Sequence, residues 1–158
     1  MLRACHGHIF FHWLACAATP VDVPLLTCLP PSPYTACVTL IRSFSDEFKT
    51  RLLRVAAAVV YTPVNEHFGI VPIEAGASKR AVLATDTGGP LESVVDGTTG
   101  FLRHNTAPDF ASAMSSIASD AQLARRMGQA GAARAQAQFS RQAFGAQLEA
   151  ICEHALQV

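Results

Sequence analysis

Short apolar runs alternate with segments of helical periodicity along most of the chain after residue 37. The runs at 37–41, 57–62 and 81–85, and a shorter one that ends the segment 96–102, are typical of buried strands. Helix signals lie between them, at 46–57, 69–78 and 90–95. Because strands that alternate with helices form parallel sheets covered on both faces, the pattern predicts an α/β fold.

Polar capping residues mark where the helices are predicted to begin. Ser43 and Ser45 are the N-cap candidates of the first helix, which has an acidic first turn, and Gly69 is the candidate N-cap of the second. From Thr106 onward the pattern predicts only helices, two of them capped by Asp120 and Ser140.

Apolar residues recur at helical spacing in this last part of the chain, and we expect them to pack in the core. The positions are Phe110, Met114, Ile117 and Ala118, then Leu123, Met127 and Ala130, and finally Phe144, Leu148, Ile151, Cys152 and Ala155. The arginines at 125, 126, 134 and 141 are predicted to lie on solvated helix faces.

Residues 1–37 differ from the rest and are predicted to form an atypical, poorly ordered leader, because prolines interrupt the stretches "TPVDVP" and "CLPPSPYTAC". An apolar run at 9–18 follows Arg3, as in a cleaved signal, but His12 interrupts it and the run is too short to span a bilayer. Cysteines and histidines cluster at 5–16 without a CxxC pair, so we expect no metal site.

The composition suits one globular domain, since 50% of the 158 residues are apolar and 15% are charged. Twelve basic and twelve acidic side chains give a formal net charge of zero. This balance gives no electrostatic reason to expect a nucleic-acid partner. An anionic ligand would have to be held by local features such as helix N-termini.

The stretch "YTPVNEHFGIVPIEAG" at 61–76 leaves a predicted strand and enters a predicted helix at Gly69. The amides of a helix N-terminus favour a phosphate, and glycine allows close approach of the backbone to a ligand. Glu66 and Glu74 lie on either side of this point in the sequence, and their carboxylates are suited to bind sugar hydroxyls. A second strand-to-helix turn, Gly88-Gly89-Pro90, is predicted at the same edge of the sheet. On spacing alone, two solvent-exposed glutamates remain the alternative.

The motifs "NEHFGIVPIEA" and "TGGPLESVVDGTTGFL" resemble the donor-binding region of the retaining GT-B glycosyltransferases that carry a Glu-x7-Glu motif. Within that family they are most similar to the eukaryotic α-1,3/1,6-mannosyltransferases of the dolichol pathway. The resemblance covers residues 38–158 and implies a partial, Rossmann-like donor-binding half of a GT-B fold with a helical C-terminus. It also implies mannose transfer from GDP-mannose to a dolichol-diphosphate-linked oligosaccharide at the cytosolic face of the endoplasmic reticulum membrane, without a resident cofactor or metal.

The resemblance assigns the site residue by residue. Glu66 would contact the transferred mannose and support charge at its anomeric carbon, as the catalytic carboxylate. Glu74 would hold the ribose of the nucleotide. The remaining donor-binding residues would be His67, Phe68, Gly69, Ile70, Val71, Gly88, Gly89 and Pro90.

The sequence departs from the family pattern in several places. The acceptor-binding N-terminal domain, the first strands of the donor domain and the Arg and Lys that clamp the diphosphate are expected to be missing from these 158 residues. Gly76 replaces a larger helix residue, and Lys79 replaces a common turn glycine. Two alternatives therefore stay open: a non-catalytic module that binds a nucleotide sugar or a partner, and a GT-B glycosyltransferase with another donor.

Overall fold

The computed structural model describes residues 45–156, which form three strands and six helices. The predicted leader, the predicted strand at 37–41 and the cluster of cysteines and histidines at 5–16 lie outside the described residues. In chain order the elements are α1 (Asp46–Val55), β1 (Ala58–Tyr61), α2 (Ile70–Ala77), β2 (Ala81–Thr85), α3 (Pro90–Ser93), β3 (Gly100–Arg103), α4 (Ala107–Ser119), α5 (Ala121–Gln138) and α6 (Arg141–Leu156).

The three strands form one parallel sheet in the order β1-β2-β3. Val59 of β1 lies opposite Val82 of β2, which in turn lies opposite Gly100 of β3. Because the strands are parallel and adjacent in chain order, the loops after β1 and β2 leave from the same edge at neighbouring positions. The predicted parallel α/β arrangement is confirmed.

Apolar side chains fill both faces of the sheet, which explains why the strands are apolar runs and do not alternate with polar residues. On one face, Val59 and Val82 pack with Leu53 of α1 and with Val71 and Ala75 of α2. On the other face, a second cluster is made by strand residues and by side chains of α4 and α5. Its members are Val60, Ala81, Leu83, Phe110, Ala113, Ile117 and Met127.

Glycines allow α5 to pack closely against α2 and the turn after it. A Cβ added to Gly76 would lie 3.2 Å from the carbonyl oxygen of Gly131, so a larger residue at 76 would press on the α5 backbone. This contact explains a glycine that costs about 1 kcal/mol of helix propensity relative to alanine. Lys79, at the position of the usual turn glycine, has a φ of 59°, which is unfavourable for a side-chain-bearing residue.

The predicted helix caps are confirmed. Ser45 accepts a hydrogen bond from the amide of Phe48, and Asp120 accepts two from the amides of Gln122 and Leu123. Ser140 accepts a hydrogen bond from the amide of Ala143. These caps fix where α1, α5 and α6 begin.

The predicted core face of α6 is wrong for the described part of the chain. Phe144 is 65% exposed and Ile151 is 66% exposed, and none of the described side chains of α6 is buried. The sheet faces are already covered by the helices before α6, so no described element remains to bury it. In α4, Phe110 and Ile117 are buried as predicted, but Met114 and Ala118 are exposed and Ala113 takes the inward position.

Candidate functional site

The loop after β1 (62–69) and the turn after β2 (86–89) lie against each other at the carboxyl edge of the sheet. The amide of Gly89 donates a hydrogen bond of 2.8 Å to the carbonyl of Glu66. A Cβ added to Gly88 would lie 2.3 Å from that same carbonyl oxygen, and Gly88 has a φ of 65°. The two glycine-containing turns that the sequence placed at this edge are therefore in direct backbone contact.

Gly69 ends the first loop and is the N-cap of α2, as predicted, with a φ of 69°. A Cβ at this position would lie 2.8 Å from the hydroxyl of Tyr61, so both the backbone conformation and the available space favour glycine. The first amides of a helix have no partner within the helix and carry a partial positive charge. No acidic residue lies in the first turn of α2. The N-terminus of α2 is therefore suited to bind an anion.

The other predicted donor-binding residues are divided between surface and core. Glu66, His67, Phe68 and Ile70 are exposed in or beside the 62–69 loop. The side chain of Val71 is buried in the core, so only its backbone is left for a ligand. Gly89 and Pro90 are also buried, where they support the 86–89 turn beneath the loop.

Tyr61 supports Glu66 from the end of β1. The ring is buried, and its hydroxyl lies within reach of the Glu66 carboxylate. Burial raises the pKa of Tyr61, and the charge of Glu66 and a hydrogen bond to it act in the same direction. The phenol therefore stays protonated and donates toward the carboxylate predicted to be catalytic. This contact was not predicted, since Tyr61 lies in an apolar run that indicates only a buried strand.

Glu74 lies in the second turn of α2, where it is half-buried and paired with a lysine. Its Oε1 lies 2.8 Å from Nζ of Lys49, which comes from α1. Lys49 also lies 3.3 Å from Asp46, one turn earlier on its own helix. The alternative of a free, solvent-exposed carboxylate is therefore wrong for Glu74. Lys49 itself was missed, because nothing in the sequence pairs two residues 25 positions apart.

A side chain of β2 also holds the 62–69 loop in place. The hydroxyl of Thr85, which is fully buried, donates a hydrogen bond of 2.8 Å to the carbonyl of Pro63. At the same edge, Nδ1 of His104 lies 2.5 Å from Oδ2 of Asp86. The edge that carries the candidate site is thus tied to β2 by side chains as well as by backbone.

Phe68 extends from the loop to the far end of α5. Its ring lies 6.0 Å from that of Phe139, edge to face. Arg134 lies over Phe139 and donates hydrogen bonds to the carbonyls of Glu92 and Ser93 at the end of α3. The prediction that Arg134 lies on a solvated face is wrong, because its guanidinium bridges α5, α3 and the aromatic pair.

Arg134→Met is expected to lower the free energy of unfolding by about 1–2 kcal/mol, because two carbonyls at the end of α3 lose a charged donor. Arg125→Met, on the exposed face of the same helix, is expected to change it by less than about 0.5 kcal/mol. Urea denaturation of the two variants measures both values. Equal effects would contradict a bridging role for Arg134.

No group of three or more His, Cys, Asp or Glu side chains among residues 45–156 is arranged to hold a metal ion. None of the described helices is long and apolar enough to cross a membrane.

Comparison with known proteins gives a consistent result. The family described as glycosyl transferases group 1 matches residues 36–134. The chain is 48% identical over 111 residues to the alpha-1,3/1,6-mannosyltransferase ALG2 of Mus musculus. This match covers 70% of the chain but 27% of the mouse protein, so the chain spans about a quarter of that relative's length.

Solved structures agree on the fold. A sucrose-phosphate synthase from Thermosynechococcus elongatus is 28% identical with a TM-score of 0.66, over 77% of this chain and 31% of that one. The C-terminal domain of a group 1 glycosyl transferase, LpcC from Francisella tularensis, is 28% identical with a TM-score of 0.57, over 64% and 53% of the two chains. The fold is that of part of one Rossmann-like half of a GT-B glycosyltransferase. The chain therefore belongs to the glycosyl transferases group 1 family.

Proposed function

We propose that these residues form the donor-binding part of a retaining mannosyltransferase. The enzyme would transfer mannose from GDP-mannose to a dolichol-diphosphate-linked oligosaccharide in N-glycan precursor assembly, at the cytosolic face of the endoplasmic reticulum membrane. The observation that carries the proposal is the joint edge of the sheet. There, the loop that holds Glu66, the N-terminus of α2 and the Gly88-Gly89 turn are in backbone contact. The similarity to ALG2 mannosyltransferases supports mannose as the transferred sugar.

The diphosphate of the donor would bind at the N-terminus of α2. Amides of Gly69, Ile70 and Val71 would donate to its oxygens, and the partial charge of the helix would stabilise the charge that develops on the leaving group. Gly88 and Gly89 would let the 86–89 turn pack against the backbone of the loop that lies beside the phosphates. The protein's main contribution is then electrostatic, and no protein nucleophile is needed.

Glu66 and Glu74 would hold the two sugars of the donor. Glu66, oriented by Tyr61, would accept hydrogen bonds from mannose hydroxyls and stabilise positive charge at the anomeric carbon. Glu74 would accept from the ribose. In the transfer step the bond from the anomeric carbon to the diphosphate oxygen breaks, and a bond to the acceptor oxygen forms on the same face. The proton of the acceptor hydroxyl passes to the leaving diphosphate.

Calorimetry with GDP-mannose tests the proposal. The wild-type chain is expected to bind, and Glu74→Ala to bind about tenfold more weakly, which corresponds to about 1.4 kcal/mol. Glu149→Ala, which removes an exposed carboxylate on α6, serves as the matched control and is expected to bind as the wild type does. Absence of binding by the wild type, or equal binding by Glu74→Ala, would contradict the proposal.

A transfer assay distinguishes an enzyme from a binding module. Labelled GDP-mannose is incubated with a dolichol-linked acceptor and the chain, and the product is measured. Binding without transfer would favour the non-catalytic module. Stronger binding of another nucleotide sugar than of GDP-mannose would instead favour a glycosyltransferase with another donor.

A further inference from the structure

The ion pair between Lys49 and Glu74 joins two helices on one face of the sheet. Nζ of Lys49 lies 2.8 Å from Oε1 of Glu74, and the two side chains are 24% and 29% exposed. The other partner of Lys49, Asp46, has a side chain that is 98% exposed, so solvent screens that contact. Glu74 is therefore the contact that fixes the position of the ammonium.

Among the residues that the structure describes, one carboxylate oxygen of Glu74 is left for a ligand. Lys49 occupies Oε1, and none of the residues from 45 to 156 donates a hydrogen bond to Oε2. An ionised carboxylate only accepts hydrogen bonds, and a sugar hydroxyl is a matching donor. The hydrogen bond to Glu74 is the largest influence on Lys49 and raises its pKa, so the ammonium is charged at neutral pH.

We propose that Lys49 is a positioning residue for nucleotide recognition. It holds the Glu74 carboxylate in one orientation, so that Oε2 accepts a hydrogen bond from a ribose hydroxyl of the donor. This inference rests on the proposed function, which assigns the ribose to Glu74. It predicts that Lys49 contributes to the preference for ribose over a ribose that lacks its 2′ and 3′ hydroxyls, although the ammonium itself does not touch the ribose.

A purely structural role makes a different prediction. If the ion pair only fastened α1 to α2, its loss would weaken the binding of every nucleotide by the same factor. If it orients Glu74 toward a hydroxyl, its loss would weaken only the binding of ligands that carry that hydroxyl. GDP and 2′,3′-dideoxy-GDP differ only in the ribose hydroxyls and therefore separate the two roles.

The experiment measures the affinities of GDP and 2′,3′-dideoxy-GDP by calorimetry for the wild-type chain and for Lys49→Met. The wild type is expected to prefer GDP about tenfold, and Lys49→Met to prefer it less than about twofold, with nearly unchanged affinity for the dideoxy ligand. Lys49→Arg, which keeps a charged donor, is expected to regain part of the preference. Arg51→Met removes a neighbouring exposed cation of α1 and is expected to retain the full preference.

A double-variant comparison strengthens the test. Glu74→Gln should reduce the preference for GDP, and adding Lys49→Met to it should change that preference no further, because the two residues act through one interaction. If Lys49→Met does not fold, Lys49→Gln takes its place in the same measurements.

The outcomes separate the two proposals. Failure of the wild type to bind GDP would overturn the proposed function and this inference with it. Normal GDP binding with an unchanged preference in Lys49→Met would overturn the inference alone. Equal loss of affinity for both nucleotides would do the same, since it would assign the ion pair a structural role.

Discussion

Gly89→Ala is expected to abolish measurable GDP-mannose binding and to lower the free energy of unfolding by about 3 kcal/mol. A Cβ at Gly89 would lie 2.1 Å from the carbonyl oxygen of Phe68 and 2.2 Å from its carbonyl carbon. Both atoms belong to the backbone, so no side-chain rotation relieves the clash. The φ of Gly89 is −55°, which alanine adopts freely, so the effect comes from space and not from backbone strain. Chemical denaturation and calorimetry measure the two quantities.

Gly97→Ala is the control for this experiment. Gly97 has a φ of 71°, but a Cβ there would meet no atom within 4 Å. We expect a loss of about 1 kcal/mol from backbone strain and no change in ligand binding. If Gly89→Ala behaved like this control, the loop and the turn would not be in the close contact described above.

Gly128→Ala is expected to destabilise the protein by about 2 kcal/mol, although alanine is the better helix former. A Cβ at this position in α5 would lie 2.1 Å from the carbonyl oxygen of Lys79. The turn cannot withdraw easily, because the amides of Lys79 and Arg80 are bonded to carbonyls of α2. Urea denaturation measures the difference.

Gly145→Ala is expected to have the opposite effect and to stabilise the protein against urea. Gly145 lies in α6, and a Cβ there would meet no atom within 4 Å. Only the propensity difference then acts, and a gain of about 0.5–1 kcal/mol is expected. A gain of similar size in Gly128→Ala would show that α5 does not press on the 78–80 turn.

The elements of the fold were largely predictable from local signals. Capping by Ser45, Asp120 and Ser140 set the starts of three helices, and the apolar runs marked the strands to within about two residues. The outward face of α6 was not predictable in this way. Helical spacing shows that a stripe such as Phe144 and Ile151 exists, but whether it is buried depends on which other elements are present to cover it.

The site was predictable where backbone conformation determines it and not where side chains meet across helices. Gly69 and the Gly88-Gly89 turn were identified because few other residues fit such turns and close approaches. The contacts from Lys49 to Glu74, from Tyr61 to Glu66 and from Arg134 to the end of α3 were missed. Each of these joins different elements, so it appears only once the helices and strands are packed together.

The contact between the 62–69 loop and the 86–89 turn has a consequence for protein engineering. Residues on one segment are in van der Waals or hydrogen-bond contact with the backbone of the other, as Gly88 and Gly89 are with Glu66 and Phe68. A graft that exchanges only one of them from a relative would bring two unmatched backbones together. The two segments are therefore one transplantable unit, to be exchanged as a pair when a chimeric enzyme is built.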